Sequence, residues 1–356
     1  MLEKPPCCHA SILSQDRLVL TRRAVLISSV GFLASIRHAD AGSEHDPWSI
    51  ATLLPFAVQE IYPVAFSDCI VLAGGIVDDP AFGIGASART IIYLPGKAAW
   101  IDGPDLPTAL HHPGLVALPD RVFAIGGFVA NADGFWQMQT SVFTLDRDFK
   151  RWEIGPDLPA PRAEFVAAHV GGQVVIVGGR TPAGANNRAY DDHIDVDATL
   201  LFDPQTDRWH QGRPAPTARN SAAGAVLGDM LHIVGGRIST GAGIRNLDVH
   251  EVYDPATDRW SARAPMPQAQ GGLAAAAFDD RLYVFGGEFF GARSGVYKEA
   301  WVYDPVADIW QAAAPMPLPR HGLGALALED GVHVIGGAAR AGAEGRSDRH
   351  DVFRPN

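Results

Sequence analysis

Val71-Leu72-Ala73-Gly74-Gly75 is an apolar run closed by two glycines, and the phrase returns five times. The copies are Phe123-Ala124-Ile125-Gly126-Gly127, Val175-Ile176-Val177-Gly178-Gly179, His232-Ile233-Val234-Gly235-Gly236, Tyr283-Val284-Phe285-Gly286-Gly287 and His333-Val334-Ile335-Gly336-Gly337. The first glycines of successive doublets stand 52, 52, 57, 51 and 50 residues apart. A fixed period near 50 marks a repeat architecture, in which one supersecondary unit is copied and stacked. The 356 residues therefore read as one array of units rather than as two or three average domains.

The residues flanking each doublet are also in phase. Before it lies a strand of small apolar residues, as in Gly322-Leu323-Gly324-Ala325-Leu326-Ala327-Leu328, and then a turn. The turns include Glu329-Asp330-Gly331, Asp279-Asp280, Gly228-Asp229 and Pro119-Asp120, whose Asp and Gly suit a tight hairpin. After each doublet comes a variable stretch, then a strand ending in an aromatic and an aspartate, as in Phe202-Asp203-Pro204, Tyr253-Asp254-Pro255 and Tyr303-Asp304-Pro305. A tryptophan follows (Trp100, Trp152, Trp209, Trp260, Trp310) and then a Pro-rich corner such as Ala264-Pro265-Met266-Pro267. Small residues fit a strand where units converge on an axis. The large aromatics supply apolar area between neighbouring units. The glycines end the second strand where backbones crowd and positive φ is needed.

This pattern resembles the kelch repeat over residues 47–356. The resemblance implies an all-β fold, a six-bladed β-propeller with four antiparallel strands per blade. The sixth unit stops at Asp351-Val352-Phe353-Arg354-Pro355-Asn356 with no tryptophan strand after it. The missing strand stands at the other end, in Asp46-Pro47-Trp48-Ser49-Ile50-Ala51. The Trp48 segment is therefore expected to close the ring as the outer strand of blade six, which removes an open sheet edge.

Residues 1–41 read as an export signal outside the fold. Thr21-Arg22-Arg23-Ala24-Val25-Leu26 resembles the twin-arginine motif of bacterial signals, with valine where phenylalanine is usual. The apolar run from Ala24 to Ile36 is too short to span a bilayer comfortably. Ala39-Asp40-Ala41 has the small-x-small form that signal peptidase accepts. The expectation is cleavage after Ala41, a periplasmic or secreted monomer, and no stable membrane span afterwards. The formal net charge is −11, and removal of the signal takes it to near −13. That balance, with no Arg/Lys run beyond the first 40 residues, excludes nucleic acid as a partner. Cys69, inside an apolar strand, reads as a small core residue.

In kelch propellers the corners between blades share a face with the loops that follow Gly-Gly, and that face binds partners. Here those loops run over 77–88, 128–140, 180–197, 237–248, 288–299 and 338–349 and look irregular. Aligning the corners gives three registers. The first holds Val58, Leu110, Arg162, Arg219, Gln270 and Arg320; the second Gln59, His111, Ala163, Asn220, Gly271 and His321; the third Glu60, His112, Glu164, Ser221, Gly272 and Gly322. Arg180, Arg237 and Glu288 follow directly after their doublets. The candidate ligand-binding set is Arg162, Arg219, Arg320, Gln270, Asn220, His111, His321, Arg180, Arg237 and Glu288, with Glu164 and Glu60 as candidate catalytic carboxylates. Guanidinium forks pair with carboxylates and amides bind hydroxyls, so this set suits a glycan, a small anionic sugar or a protein partner. A kelch corner arginine can also simply tie blades together. The acidic stretch from Tyr190 to Asp197 matches no established calcium loop and reads as hydrated. No metal and no cofactor is expected.

Fold and compartment together also resemble the periplasmic sialic acid mutarotases. Ring opening needs only an acid/base pair, but no motif carries that activity over residue by residue. A galactose-oxidase-like copper site is rejected. Six blades replace seven, Cys69 lies within a strand, and no Tyr-His pair stands at a corner.

Overall fold

The computed structural model describes residues 46–355, apart from 81–82, 132–133 and 241–242. The expected export signal and cleavage point, residues 1–41, lie outside the described residues.

Six four-stranded antiparallel sheets surround an axis. Blade 1 comprises Val64–Phe66, Cys69–Ala73, Thr90–Leu94 and Ala99–Asp102. Blades 2 to 5 repeat it from Gly114–Ala117, Val166–Val170, Ala223–Leu227 and Ala274–Phe278 onward. Blade 6 takes three strands from the C-terminal end, Gly324–Leu328, Gly331–Ile335 and His350–Phe353, and its outer strand is Trp48–Ile50. The register of that pairing is Trp48 with Phe353, Ser49 with Val352 and Ile50 with Asp351. Ring closure is therefore as the repeat phase requires.

Trp48 also behaves as the sixth member of the tryptophan series. Every outer-strand indole donates its N–H to a carbonyl of the preceding corner. The pairs run Trp100 to Thr52 (3.0 Å), Trp152 to Pro104 (3.1 Å), Trp209 to Pro156 (3.0 Å), Trp260 to Arg213 (2.8 Å), Trp310 to Ala264 (2.8 Å) and Trp48 to Ala314 (3.2 Å). A buried indole thus keeps its one donor satisfied while its rings fill the space between blades.

The core is divided among the six gaps between blades, each filled by its own apolar cluster. Ile70, Leu72, Tyr93, Leu326 and Ile335 fill the closing gap between blades 6 and 1. The doublets stitch the gaps by backbone. Gly287 N–H donates to the Arg320 carbonyl of the next corner (2.9 Å), and Gly337 donates to Val58 across the closure (2.9 Å). A Cβ on Gly286, at φ +67°, would sit 2.2 Å from the Arg320 oxygen, so the approach itself demands glycine.

Along the axis the first strands, rich in alanine, line an apolar well of about 410 Å³. Tyr62, Phe165, Leu273 and Leu323 stand toward its ribbon end. Cys69 is fully buried beside Ile92 and Leu94.

The loops after Gly-Gly are more regular than the sequence suggests. In blades 1 to 5 each contains a two-stranded antiparallel ribbon, such as Arg180–Pro182 with His193–Asp195 and Arg237–Thr240 with Gly243–Asn246. The sixth has only a bridge between Ala338 and Arg346. No helix among the described residues is long and apolar enough to cross a membrane.

Candidate functional site

Each corner is fixed to the ribbon of its own blade by antiparallel backbone bonds. His111 pairs with Phe128, Ala163 with Arg180, Asn220 with Arg237, Gly271 with Glu288 and His321 with Ala338. This pairing carries the residue after each doublet to the axis. The third-register residues Glu60, His112, Glu164, Ser221, Gly272 and Gly322 all adopt left-handed φ between 46° and 70°. They pass hydrogen bonds around the ring: Glu60 N–H to Gly322 O (2.6 Å), Gly322 to Gly272 (2.9 Å), Gly272 to Ser221 (2.9 Å), Ser221 to Glu164 (3.0 Å) and His112 to Glu60 (3.3 Å). The mouth expected from the sequence is therefore a floor, with the apolar well beneath it.

On this floor lies a buried charged cluster. Glu164 faces Arg180 Nε at 4.0 Å, an Arg237 Nη at 3.8 Å and His112 Nε2 at 3.8 Å. Arg237 Nη1 donates to Glu288 Oε1 at 2.5 Å, and His112 Nε2 lies 3.0 Å from Glu60 Oε2. His321 Nδ1 sits 3.4 Å from Glu288 and 3.6 Å from Glu60. Arg180 Nε is 3.5 Å from Asp195, which accepts from Asn220 Nδ2 at 2.6 Å. Four carboxylates thus meet two guanidiniums and the imidazoles of His112 and His321.

The fields are correspondingly strong. Burial pushes the Glu60 carboxyl up, but His112, His321 and Arg237 together outweigh it and bring it to about 2. Burial pulls His112 down, yet Glu60 and Glu164 raise it above its ordinary value. Burial and the His112 charge hold His111 well below its own. Burial raises the Tyr62 phenol well above its usual range, reinforced by Glu60 and Glu164. Several polar atoms here are buried without a hydrogen-bond partner: Glu164 Oε2, Arg180 Nε and Nη1, Tyr190 Oη and His321 Nδ1. Such atoms are few in folded proteins and call for a physical reason; here they occur on the floor and also on the blade braces Arg162, Arg219 and Arg320.

Aromatic side chains roof the charges. The Tyr190 ring lies over the Arg180 guanidinium at 3.7 Å, and half-exposed Phe290 lies 5.8 Å from that of Arg237. Trp136 packs edge-on to Tyr190 at 5.3 Å, and Phe135 stacks on His111 at 4.5 Å.

The structure thus gathers Glu60, Glu164, Glu288, Arg180, Arg237, Asn220, His111 and His321 of the sequence candidates around the axis. It does not bring in the first register. Arg162 donates to its own blade's Gly178 carbonyl at 3.0 Å, and burial lowers it to about 10. Arg219 pairs with Glu251 (3.0 Å) and Arg320 with Asp351 (2.9 Å), each inside its own blade. Gln270 bridges the Gly286 carbonyl (2.7 Å) and the Trp301 indole (2.8 Å). In this structure these four sequence candidates brace blades, because a side chain two positions before the axial register turns into its own sheet. Two members escaped the sequence reading. His112 shares a register with Glu60 and Glu164, which is the signal that could have found it. Asp195 was read as part of a hydrated loop; the ribbon instead turns it inward, where it also accepts from Ser239 N–H at 2.6 Å.

Comparison with known proteins follows the same lines. The family model described as the KLHDC2/KLHL20/DRC7 Kelch-repeats domain matches residues 101–287, and the Kelch motif matches residues 271–317. Kelch-like protein 35 of Mus musculus is 27% identical over 257 residues, 72% of this chain and 39% of that protein. Kelch-like protein terF of Aspergillus terreus is 28% identical over 237 residues, 65% of this chain and 50% of that protein. The chain thus spans half or less of the length of these relatives. Among solved structures, that titled "Structure of YjhT" superposes with a TM-score of 0.70 at 17% identity, covering 84% of this chain and 95% of the other.

Proposed function

The chain belongs to the kelch-repeat family, a type of interaction module, and on that premise we propose that its ribbon face recognises a small polyhydroxylated or anionic ligand such as the end of a glycan. The observation that carries this reading is the set of buried polar atoms on the axial floor that make no hydrogen bond, Arg180 Nη1 and Nε and Glu164 Oε2, the last two meeting only as an ion pair at 4.0 Å. A saccharide supplies hydroxyls that both donate and accept, and a sugar acid adds a carboxylate for the guanidinium. Tyr190 and Trp136 offer the faces on which a pyranose stacks. The ligand reaches the floor by displacing Tyr190 from Arg180. The reading includes work outside the cytoplasm, as a monomer, after loss of residues 1–41.

The test is a thermal-shift screen of the processed protein against neutral and acidic saccharides. Ligand at a hundredfold excess over Kd stabilises by about 2.7 kcal/mol, several degrees in Tm. Tyr190→Ala and Arg180→Met should abolish the shift. A panel in which nothing moves Tm sinks the saccharide reading and leaves a protein partner for the ribbon tips.

A second reading, a sugar mutarotase, is favoured by one contact. In the His112–Glu60 pair at 3.0 Å the carboxylate, lowered to about 2, anchors an imidazole whose pKa it raises, leaving His112 as the proton-carrying group. Exchange spectroscopy on sugar anomers tests it, and an exchange rate equal to that in buffer rejects it.

A further inference from the structure

We propose that Glu60, Glu288 and His321 form a binding site for one divalent transition-metal ion of the zinc class on the propeller axis. The site borders the Arg180–Tyr190 floor but does not rest on the saccharide reading.

One donor atom from each of the three residues lies within 4.8 Å of the others, and all three residues are buried. His321 Nδ1 is 3.4 Å from Glu288 Oε2 and 3.6 Å from Glu60 Oε1. Metal bonds of roughly 2.0–2.2 Å at tetrahedral angles separate ligand atoms by about 3.3–3.6 Å. The two separations from Nδ1 therefore match those of ligands around one ion, and the third pair lies within 4.8 Å.

The imidazole is oriented for this role. His321 Nε2 lies 2.9 Å from the Arg340 carbonyl and 3.0 Å from the Gly342 carbonyl. Carbonyl oxygens only accept, so Nε2 carries a proton, and Nδ1 is the ring atom left facing the two carboxylates, where the neutral ring would present its lone pair. Nδ1 has no hydrogen-bond partner, and the residue is 1% exposed. Nδ1 and one oxygen from each carboxylate thus converge in a buried space, and either a proton on Nδ1 or a cation between them balances the carboxylates.

Both carboxylates are held from behind. The second oxygen of Glu60 is fixed by His112 Nε2 at 3.0 Å, and that of Glu288 by Arg237 Nη1 at 2.5 Å. Gly342 N–H donates to Glu288 Oε2 itself at 2.7 Å, which fixes the ligand oxygen and leaves it a second lone pair. Outer partners of this kind orient ligands and sustain metal affinity.

Space has been cleared as well. Glu60, His112, Glu164 and Ser221 show that the third register accepts φ of 46–56° with a side chain present. Gly322 is therefore not required by φ alone. A Cβ there would stand 2.6 Å from Glu60 Oε1, on the ligand atom itself. A nitrogen with two carboxylates suits zinc and its neighbours. Calcium, which takes six to eight oxygens, is poorly served by three donors that include a nitrogen.

The experiment strips the purified protein with chelator, then titrates it with Zn²⁺ alone by equilibrium dialysis with elemental analysis, and with Co²⁺ by visible absorption. The expected result is one equivalent retained and the intense bands of low-coordinate Co²⁺. His321→Gln and Glu60→Gln should each weaken binding at least tenfold. Asp191→Asn, in the exposed acidic stretch, should change nothing. Failure of the wild type to retain Zn²⁺ at neutral pH overturns the proposal and makes His321 an imidazolium between two carboxylates. Retention unchanged in His321→Gln overturns it too. If the variants do not fold, the wild-type Co²⁺ spectrum decides, and weak octahedral bands reject the site. No sugar enters the assay, so its outcome is separate from that of the saccharide screen.

Discussion

Lowering the pH from 7 to 5 should remove a large part of this propeller's stability, through histidines far from the axial floor. In blade 4 His250 Nε2 lies 3.0 Å from His232 Nδ1, and its ring stands edge-on to Tyr303 of blade 5 at 4.6 Å. Blade 6 repeats the device: His350 Nε2 is 2.8 Å from His333 Nδ1, and its ring meets Tyr93 of blade 1 at 4.9 Å. Burial, reinforced by the neighbouring imidazole, pushes His250 and His350 down to about 3. Burial, with Arg263 adding, takes His232 to about 4. In the unfolded chain each titrates near 6.5. Between that value and the folded one, the unfolded state binds a proton that the native state refuses. Stability is therefore whole above about pH 6.5 and falls as the pH falls toward the folded values. The slope is about 1.4 kcal/mol per pH unit per residue. At pH 5 each histidine has given up about 2 kcal/mol, and the three together about 6 kcal/mol. Total stabilities are on the order of 5–15 kcal/mol, so the loss is a sizeable share. Urea unfolding followed by tryptophan fluorescence at pH 5, 6, 7 and 8 measures the curve. His250→Gln should lower its slope below pH 6.5 by about 1.4 kcal/mol per unit, whatever it does to the plateau. A wild-type curve flat from pH 7 to 5, or a His250→Gln curve of unchanged slope, refutes the reasoning.

Other perturbations bear on the brace and the closure. Asp351 holds buried Arg320 at 2.9 Å and Arg349 at 2.7 Å, so Asp351→Ala should cost about 3–5 kcal/mol by leaving a charge unpaired; a loss under about 1 kcal/mol in urea unfolding would show Arg320 to be idle. Gly286→Ala, with its Cβ 2.2 Å from a carbonyl, should cost more than about 2 kcal/mol or block soluble expression, whereas Gly184→Ala, with nothing within 4 Å, should be neutral. Trp48→Ala removes a ring packed on Phe353 (4.9 Å) and Phe285 (5.5 Å) and should cost about 3–5 kcal/mol; an unchanged urea midpoint would mean the closing strand is not needed.

The ring was legible because its rules are local. Gly-Gly spacing, the tryptophans and the orphan Trp48 each follow from packing that every blade repeats. The histidine pairs were visible in part, since His232 and His333 occupy the same place before their doublets. Which corner side chains reach the axis was not legible. Arg162 and Glu164 lie two residues apart, and one braces a blade while the other joins the floor. That difference is set by a left-handed turn at the third register, which four non-glycine or polar residues and two glycines adopt alike. The ribbons were hidden for a related reason: short strands such as Glu288–Phe289 and Gly295–Val296 pair across residues with no alternating pattern.

The pairing of Trp48 with Phe353 also governs how the molecule is made. At roughly 5–20 residues per second, the ~300 residues between them take about 15–60 s to synthesise. Among the described strands, Trp48–Ile50 is made first and pairs with the one made last, while the blades between can assemble as they appear. A nascent or truncated product that stops short of His350–Phe353 leaves Trp48–Ile50 without its neighbour and blade 6 with a bare edge. Such an edge invites pairing with other chains. Closure of the seam thus ties the blade 6 edge to synthesis of His350–Phe353: without that strand the edge stays open.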